Sequence, residues 1–144
     1  MKRLFICVLC IALMSMVLCS CTEDKAESDL WKNATYTSDT ELGKGDTTVE
    51  VKLTAEKKSV TFTIHTDKET LGDALLEHKL ISGEKGPYGM YVKKVNGIEA
   101  DYDKTKTYWG FNKNGESMMT GVDAEKISDG AKYEIVYTTE ESKK

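Results

Sequence analysis

A strict alternation of apolar and polar residues along two neighbouring stretches constrains the fold most. From Val49 to Leu53 apolar residues alternate with charged ones, and from Val60 to Ile64 they alternate with threonines. A period of two is what a β-strand with one buried and one solvent-facing side requires. The two stretches, separated by residues 55–58, therefore predict an antiparallel hairpin with one wet face.

One helix is predicted after this hairpin. Thr70 can cap its N-terminus, Asp73 can reach back to Thr70, and the helix is expected to end near Lys79. The apolar face of this helix is predicted to carry Leu71, Ala74 and Leu75.

Short strands joined by tight turns are predicted for the rest of the chain, with one turn of helix after Asp123. Asn-Gly and Asp-Gly pairs tolerate the left-handed backbone of tight hairpins. A single helix on strands of this kind predicts an α+β, β-grasp-like fold with a mostly antiparallel sheet and one main packed helix. The predicted strand and turn segments are 88–92, 95–98, 108–111, 114–115, 129–130 and 133–138.

The first twenty residues have the character of a lipoprotein signal peptide. A basic pair at positions 2 and 3 precedes the apolar stretch from Leu4 to Leu18, and the small Ser20 precedes Cys21. This order predicts cleavage before Cys21, whose thiol then takes the diacylglycerol. The alternative is a transmembrane anchor, because the uncharged residues 4–22 approach the length of about 20 that a spanning helix needs. The fall in apolarity at Ser20 favours the signal peptide.

The chain is therefore divided into a signal peptide (1–20), a flexible tether after the lipidated cysteine (21–33) and one α+β domain (34–144). The tether is charged and has little to bury. The predicted location is the extracytoplasmic face of the cell membrane, with the lipid as anchor.

Removal of the signal changes the composition of what remains. Cys7, Cys10 and Cys19 leave with it, so neither a disulfide nor a cysteine metal site is expected. The remaining chain has 18 Lys and Arg against 24 Asp and Glu, a net charge of −6. Such an acidic chain is not expected to bind nucleic acid or to adhere electrostatically to anionic lipid.

An ordered series of short motifs runs through the second half of the chain. The series consists of Leu71-Gly72-Asp73-Ala74-Leu75-Leu76, Gly86-Pro87-Tyr88-Gly89, Val95-Asn96-Gly97-Ile98, Tyr108-Trp109, Asn114-Gly115-Glu116, Gly121-Val122-Asp123, Ile127 and Asp129-Gly130.

This series resembles a bacterial domain family of uncharacterised function that is related to the C-terminal domain of transcobalamin and intrinsic factor. The resemblance covers about half of the chain. Ala131 stands where an acidic residue is expected, and the large helical domain of transcobalamin has no counterpart. The resemblance implies a β-rich domain of the kind that, in the animal proteins, closes over one face of cobalamin. It thereby implies cobalamin or a related corrinoid as a ligand, with no required cofactor.

Aromatic and methionine side chains are the candidate ligand-binding residues. Tyr108 and Trp109 point to opposite faces of a predicted strand, and Trp109 shares its side with Phe111. Tyr108 is therefore the candidate for an exposed platform, although a loop could equally cover it. The full candidate set is Tyr88, Tyr91, Tyr108, Trp109, Met118 and Met119.

Each of the other candidates has a structural and a functional interpretation. Tyr88 and Tyr91 face opposite ways, and the glycines around Tyr88 either let backbone approach a ligand or simply form a turn. Met118 and Met119 either adapt to a flat ligand or fill gaps.

Catalytic chemistry is not expected, and neither is a resident metal. His65 and His78 have no nucleophile at motif spacing, and hydrolase, zinc-helix and phosphate-loop signatures are absent. The segment 101–103 resembles the start of a calcium loop but lacks its glycine and distal glutamate. Imidazole is chemically able to act as an axial cobalt ligand, but ordinary surface histidines are the favoured interpretation.

The sequence thus predicts a membrane-tethered lipoprotein that binds a ligand non-covalently, most directly cobalamin or a related corrinoid for hand-off to a membrane transporter. The alternative is a surface interaction module that binds a protein or cell-wall glycan. A peptidoglycan-associated enzyme is disfavoured because no nucleophile is found.

Overall fold

The computed structural model describes residues 29–143 of the 144-residue chain. The predicted signal peptide (1–20), Cys21 and the first part of the predicted tether lie outside the described residues. Within residues 29–143, no helix has the length and apolar character needed to cross a membrane.

Nine strands and two α-helices occur within residues 29–143. The strands are β1 (Thr40–Gly43), β2 (Thr47–Ala55), β3 (Lys58–Thr66), β4 (Ile81–Gly86), β5 (Gly89–Val95), β6 (Ile98–Glu99), β7 (Thr107–Lys113), β8 (Glu116–Ser117) and β9 (Lys132–Thr139). The helices are α1 (Leu71–Glu77) and α2 (Tyr102–Thr105), and 3-10 helices cover Asp29–Asn33 and Glu140–Lys143. The architecture is α+β, as the sequence predicts.

Six of the strands form the main sheet, in the order β1-β3-β2-β9-β7-β8. The predicted hairpin is confirmed: β2 and β3 pair antiparallel, with Val51 opposite Phe62. Neighbouring strands run parallel in two cases, β1 with β3 and β2 with β9. All other neighbouring strands of this sheet are antiparallel. The inner face of this sheet carries the alternating apolar side chains that form the core.

A second sheet of three antiparallel strands has the order β4-β5-β6. The turn between β5 and β6 is the predicted one, with positive φ at Asn96 (51°) and Gly97 (82°). Strand β4 was not predicted, because only Ile81 of its residues is buried and the other five are exposed. A strand that buries one residue has no alternating pattern to detect.

Helix α1 begins where predicted and ends two residues early. Thr70 is its N-cap and accepts a hydrogen bond from the Asp73 backbone N–H at 3.2 Å. The predicted apolar face is confirmed, since Leu71, Ala74 and Leu75 are fully buried. Lys79 lies beyond the helix because it adopts a left-handed backbone with φ 54°. The turn of helix predicted after Asp123 does not form; residues 122–124 are instead a turn, in which Ala124 and Glu125 donate to the Gly121 carbonyl.

The folded domain includes part of the predicted tether. Residues Asp29–Asn33 form a 3-10 helix, and Trp31 is only 2% exposed. The Trp31 indole N–H donates to the Ala55 carbonyl at 3.1 Å, which ties this segment to the end of β2. The predicted boundary at Ala34 therefore falls inside the folded part. One buried indole holds a segment whose other residues are mostly polar.

Candidate ligand-binding site

Tyr88 and Met119 are the most exposed large apolar side chains among the described residues, each at 96%. Tyr88 lies in the turn between β4 and β5, and Met119 lies in the loop between β8 and β9. Single exposed apolar residues are common on protein surfaces. Two of them, Tyr88 and Met119, on loops that contact each other are typical of an interaction surface.

These two loops are in contact through small residues. A Cβ atom built on Gly121 would lie 3.7 Å from the Tyr88 carbonyl oxygen. A Cβ atom built on Gly89 would lie 2.7 Å from Oδ1 of Asp123. Gly89 has φ +105°, a conformation that favours glycine. We call residues 87–89 together with 119–123 the tip surface.

The loop that carries Met119 is held on the sheet by Glu125. Lys113 of β7 donates to Glu125 Oε1 at 2.5 Å, and the Tyr133 hydroxyl of β9 donates to the same oxygen at 3.2 Å. Thr120 donates to the other oxygen, Oε2, at 3.2 Å. The Glu125 side chain is only 14% exposed. This carboxylate therefore joins the loop to two strands of the main sheet.

The same network shifts the pKa values of its members. The hydrogen bond from Lys113 holds the pKa of Glu125 below its usual value and raises the pKa of Lys113. Burial raises the pKa of Tyr133. At neutral pH the network therefore combines a carboxylate, an ammonium group and a neutral phenol.

The N-terminus of α1 holds the other side of this loop. Gly72 donates its backbone N–H to the Val122 carbonyl at 2.7 Å, and Leu71 donates to the Glu125 carbonyl at 2.8 Å. A Cβ atom built on Gly72 would lie 3.1 Å from the Asp123 backbone. The backbone beneath the tip surface is thus fixed on two sides.

The other predicted site residues lie elsewhere. Tyr91 is 44% exposed on β5, opposite Glu84. Met118 is half-buried, packs against the core and donates its backbone N–H to the Phe111 carbonyl at 2.9 Å. Of the two predicted methionines, therefore, Met119 belongs to the tip surface and Met118 acts as a gap-filler.

The neighbouring pair Tyr108 and Trp109 divides between two faces of β7. Trp109 is 6% exposed and packs edge-on against Tyr137 at 5.2 Å, so it lies in the core rather than at a surface open to a ligand. Tyr108 is half-buried rather than an open platform, because Tyr102 of α2 packs edge-on against it at 6.4 Å. The helix that provides this cover was not predicted.

No group of three or more His, Cys, Asp or Glu residues positioned to hold a metal ion occurs within residues 29–143. The carboxylate of Asp101 accepts the backbone N–H groups of Asp103 and Lys104 and so caps α2. The partial calcium motif is thus a helix start. His65 contacts Glu41 at 2.8 Å and Thr48 at 2.9 Å.

Comparison with known proteins places the second half of the chain in a family. Residues 68–139 match the family described as Domain of unknown function (DUF4430). The chain belongs to this family. The DUF4430 match runs from just before α1 to the end of β9, so it contains the tip surface and the Glu125 network. The β2–β3 hairpin and Trp31 precede it.

Two solved structures share the fold. The first is described as "a putative metal binding protein from Ruminococcus gnavus ATCC 29149", with 28% identity and a TM-score of 0.62 over 65% of this chain and 98% of that one. The second is haptocorrin in complex with Cbi, with 16% identity and a TM-score of 0.53 over 65% of this chain and 25% of that one. The search of curated proteins gives no match. DUF4430 membership and the fold shared with haptocorrin are consistent with the transcobalamin resemblance.

Asp123 and Glu125 are site residues that the sequence interpretation did not single out. Asp123 stands in the motif Gly121-Val122-Asp123, and the glycine two positions earlier was the available signal for close packing around its side chain. Glu125 had no comparable signal, because its partners on β7 and β9 are distant in sequence.

Proposed function

We propose that this DUF4430 protein is a lipid-anchored, extracytoplasmic binding protein whose tip surface takes a flat amphipathic ligand without covalent chemistry. Cobalamin or a related corrinoid is the proposed ligand, and hand-off to a membrane transporter is the proposed use. The observation that carries the proposal is the pair Tyr88 and Met119, both 96% exposed on two loops in contact.

The chemistry of these side chains suits such a ligand. The Tyr88 ring offers a flat apolar surface with a hydroxyl at its edge, and the Met119 thioether adapts to irregular shapes. A corrinoid is a large flat molecule fringed with amides, so it presents both apolar area and polar edges. The shared fold with a haptocorrin that was solved in complex with Cbi supports this ligand class.

Membrane attachment through Cys21 completes the proposal. Eight residues lead from Cys21 to Asp29, the first described residue. A fully extended segment of that length spans about 26 Å. Lipid anchorage of this kind would keep the binding domain near the membrane while leaving the tip surface free for a ligand. The proposal includes no catalytic step and no resident cofactor.

We also assign the fold to the β-grasp class. Support comes from the hairpin β2–β3, the helix α1 that follows it, and the central parallel pairing of β2 with β9. In this arrangement the first and last long strands lie side by side at the centre of the main sheet.

A titration tests the ligand. The protein used is the chain from residue 21 with Cys21→Ser, a change that removes the acylation site. It is titrated with cyanocobalamin and with cobinamide. Binding is followed by corrinoid absorbance and by Trp31 and Trp109 fluorescence. We expect saturable binding by the parent chain, about tenfold weaker binding after Tyr88→Ala with Met119→Ala, and no change after Leu76→Ala. Leu76 is the matched control because it is an exposed apolar residue, 41% exposed, on α1. Absence of saturable binding to both corrinoids contradicts the proposal.

A second candidate function is a surface interaction module that binds a protein or cell-wall glycan. Strand β4 favours it, because β4 is an edge of the three-stranded sheet and its residues 82–86 are all exposed. An edge strand of this kind can pair with an extended peptide. The test is whether the parent chain captures one partner from the cell envelope. Loss of this capture after Gly86→Pro in β4, together with its retention after Tyr88→Ala with Met119→Ala, supports this alternative over the first.

A further inference from the structure

We propose that Asp123 is the polar anchor of the tip surface and selects ligands that present N–H donors, such as amides and amidinium groups, over ligands that present carboxylates. This inference rests on the proposed function, because it concerns the same surface. It adds the chemical group of the ligand that the surface recognises.

The first argument is the space kept for the Asp123 carboxylate. It lies between two glycines of the tip surface: a Cβ atom on Gly89 would come within 2.7 Å of Oδ1, and one on Gly121 within 2.9 Å. Contacts shorter than 3.0 Å to a Cβ atom essentially never occur, so a side chain at either position would displace the carboxylate. The exposed Asp123 carboxylate therefore lies against one glycine of each loop.

The second argument is that this carboxylate has no structural task. Within residues 29–143, Asp123 accepts no hydrogen bond and forms no ion pair. Four other aspartates outside the strands each accept a backbone N–H, at 2.8 to 3.1 Å. Asp101 caps α2, whereas Asp39, Asp67 and Asp129 each join a loop to a segment at least 21 residues away in the chain.

The third argument is preorganisation. The backbone on either side of Asp123 is fixed, because Val122 accepts a hydrogen bond from Gly72 at 2.7 Å and Ala124 donates to Gly121 at 3.1 Å. A fixed backbone limits the ordering that binding requires to the side-chain torsions of Asp123. A hydrogen bond between an N–H donor and a carboxylate is charge-assisted and stronger than a neutral one.

These features define the ligand class. Tyr88 and Met119 expose apolar surface on the two loops, and the Asp123 carboxylate lies against Gly89 and Gly121 of the same loops. A flat ligand whose rim carries N–H donors satisfies both, whereas a rim carboxylate would meet like charge.

The test uses small probes, so it does not depend on corrinoid binding. The chain from residue 21 with Cys21→Ser is titrated with benzamidinium, benzamide and benzoate while amide NMR shifts are recorded. We expect the Gly89 and Gly121 amides to respond most to benzamidinium, less to benzamide and not to benzoate. Asp123→Asn should weaken benzamidinium binding about three- to tenfold.

Gly121→Ala provides a second variant that keeps the charge. Gly121 does not have a positive φ, so alanine is compatible with its backbone, but the new Cβ atom would push the Asp123 carboxylate aside. We expect it to weaken benzamidinium binding as Asp123→Asn does. Asp103→Asn, at an exposed aspartate in α2, is the control and should change nothing.

The inference is overturned if benzamidinium leaves the Gly89 and Gly121 shifts unchanged, if benzoate binds as well as benzamidinium, or if Asp123→Asn binds benzamidinium as the parent chain does. None of these results depends on cyanocobalamin or cobinamide. If the chain binds benzamidinium as expected but binds neither cyanocobalamin nor cobinamide, the inference about Asp123 holds and the corrinoid proposal is wrong.

Discussion

Glu125 shows how a single carboxylate can position a binding loop. Its two oxygens accept hydrogen bonds from Lys113, Tyr133 and Thr120, and the side chain is largely buried. We expect Glu125→Gln to lower the free energy of unfolding by about 1–3 kcal/mol, because the amide loses the charge that Lys113 pairs with. Urea unfolding at neutral pH measures this loss. Glu69→Gln, at an exposed residue before α1, is the control and should have little effect.

The same residue predicts a pH dependence. The folded-state pKa of Glu125 lies below its ordinary value of 4.5, chiefly because of the hydrogen bond from Lys113. Its contribution to stability is therefore complete above that ordinary value and disappears as the pH falls through the lower folded-state pKa. The stability difference between the parent chain and Glu125→Gln should be constant near neutral pH and shrink as the pH falls below the ordinary value of 4.5. A difference that does not shrink at all as the pH falls below 4.5 would show that the Glu125 charge does not stabilise the fold.

Single residues were predictable from the sequence when their partners are near in the chain. Thr70 accepts a hydrogen bond from a backbone N–H three residues away, so the sequence alone indicates its capping role. The segment 101–103 resembles the start of a calcium loop because a helix cap and a metal loop begin with the same residue type, but no resident metal is expected there and Asp101 caps α2. Glu125 and Asp123 act through contacts between separate loops and strands, which no local pattern encodes.

The two Asn-Gly turns have the same local backbone conformation but different tertiary contacts. Comparing them separates the contribution of tertiary hydrogen bonds to stability from that of the turn conformation. Asn96 and Asn114 each have φ 51° and each precede a glycine. Asn114 is exposed, whereas Asn96 is fully buried and clamps Tyr36, accepting from its N–H at 2.9 Å and donating to its carbonyl at 2.8 Å. Both alanine variants incur the same left-handed strain.

We therefore expect Asn96→Ala to destabilise the protein by about 2 kcal/mol more than Asn114→Ala, since only Asn96 loses two partly buried hydrogen bonds. Chemical unfolding of the two variants measures the difference. Equal losses would mean that the clamp on Tyr36 contributes nothing beyond the turn itself.

At the level of elements, regular patterns were predicted and irregular ones were missed. The hairpin β2–β3, helix α1 and the Asn-Gly turns follow local periodicity and turn chemistry, and all are confirmed. Strand β4 buries one residue and α2 spans only four, so neither produces a periodic signal. The misplaced tether boundary has the same cause, because Trp31 is a single buried residue in a polar segment.

At the scale of the whole molecule, the proposed ligand binding depends on the described domain, and the proposed membrane attachment depends on the predicted signal peptide and Cys21. The described residues include a tip surface at two loops and a core that contains Trp31. The described fold and core are tested through residues 29–143, whereas the proposed location is tested through residues 1–21. The two claims can be tested by variants that do not overlap.

Cys21 is the residue on which the proposed location depends. If cleavage precedes Cys21 and its thiol is acylated, radiolabelled palmitate should mark the parent protein, and Cys21→Ser should abolish the label and leave residues 1–20 attached. Cys19→Ser is the matched control, since it removes a neighbouring thiol and should keep the label. An uncleaved helix spanning the membrane predicts the opposite: mass spectrometry would find residues 1–20 in the parent chain, and Cys21→Ser would remain in the membrane fraction without any change in processing.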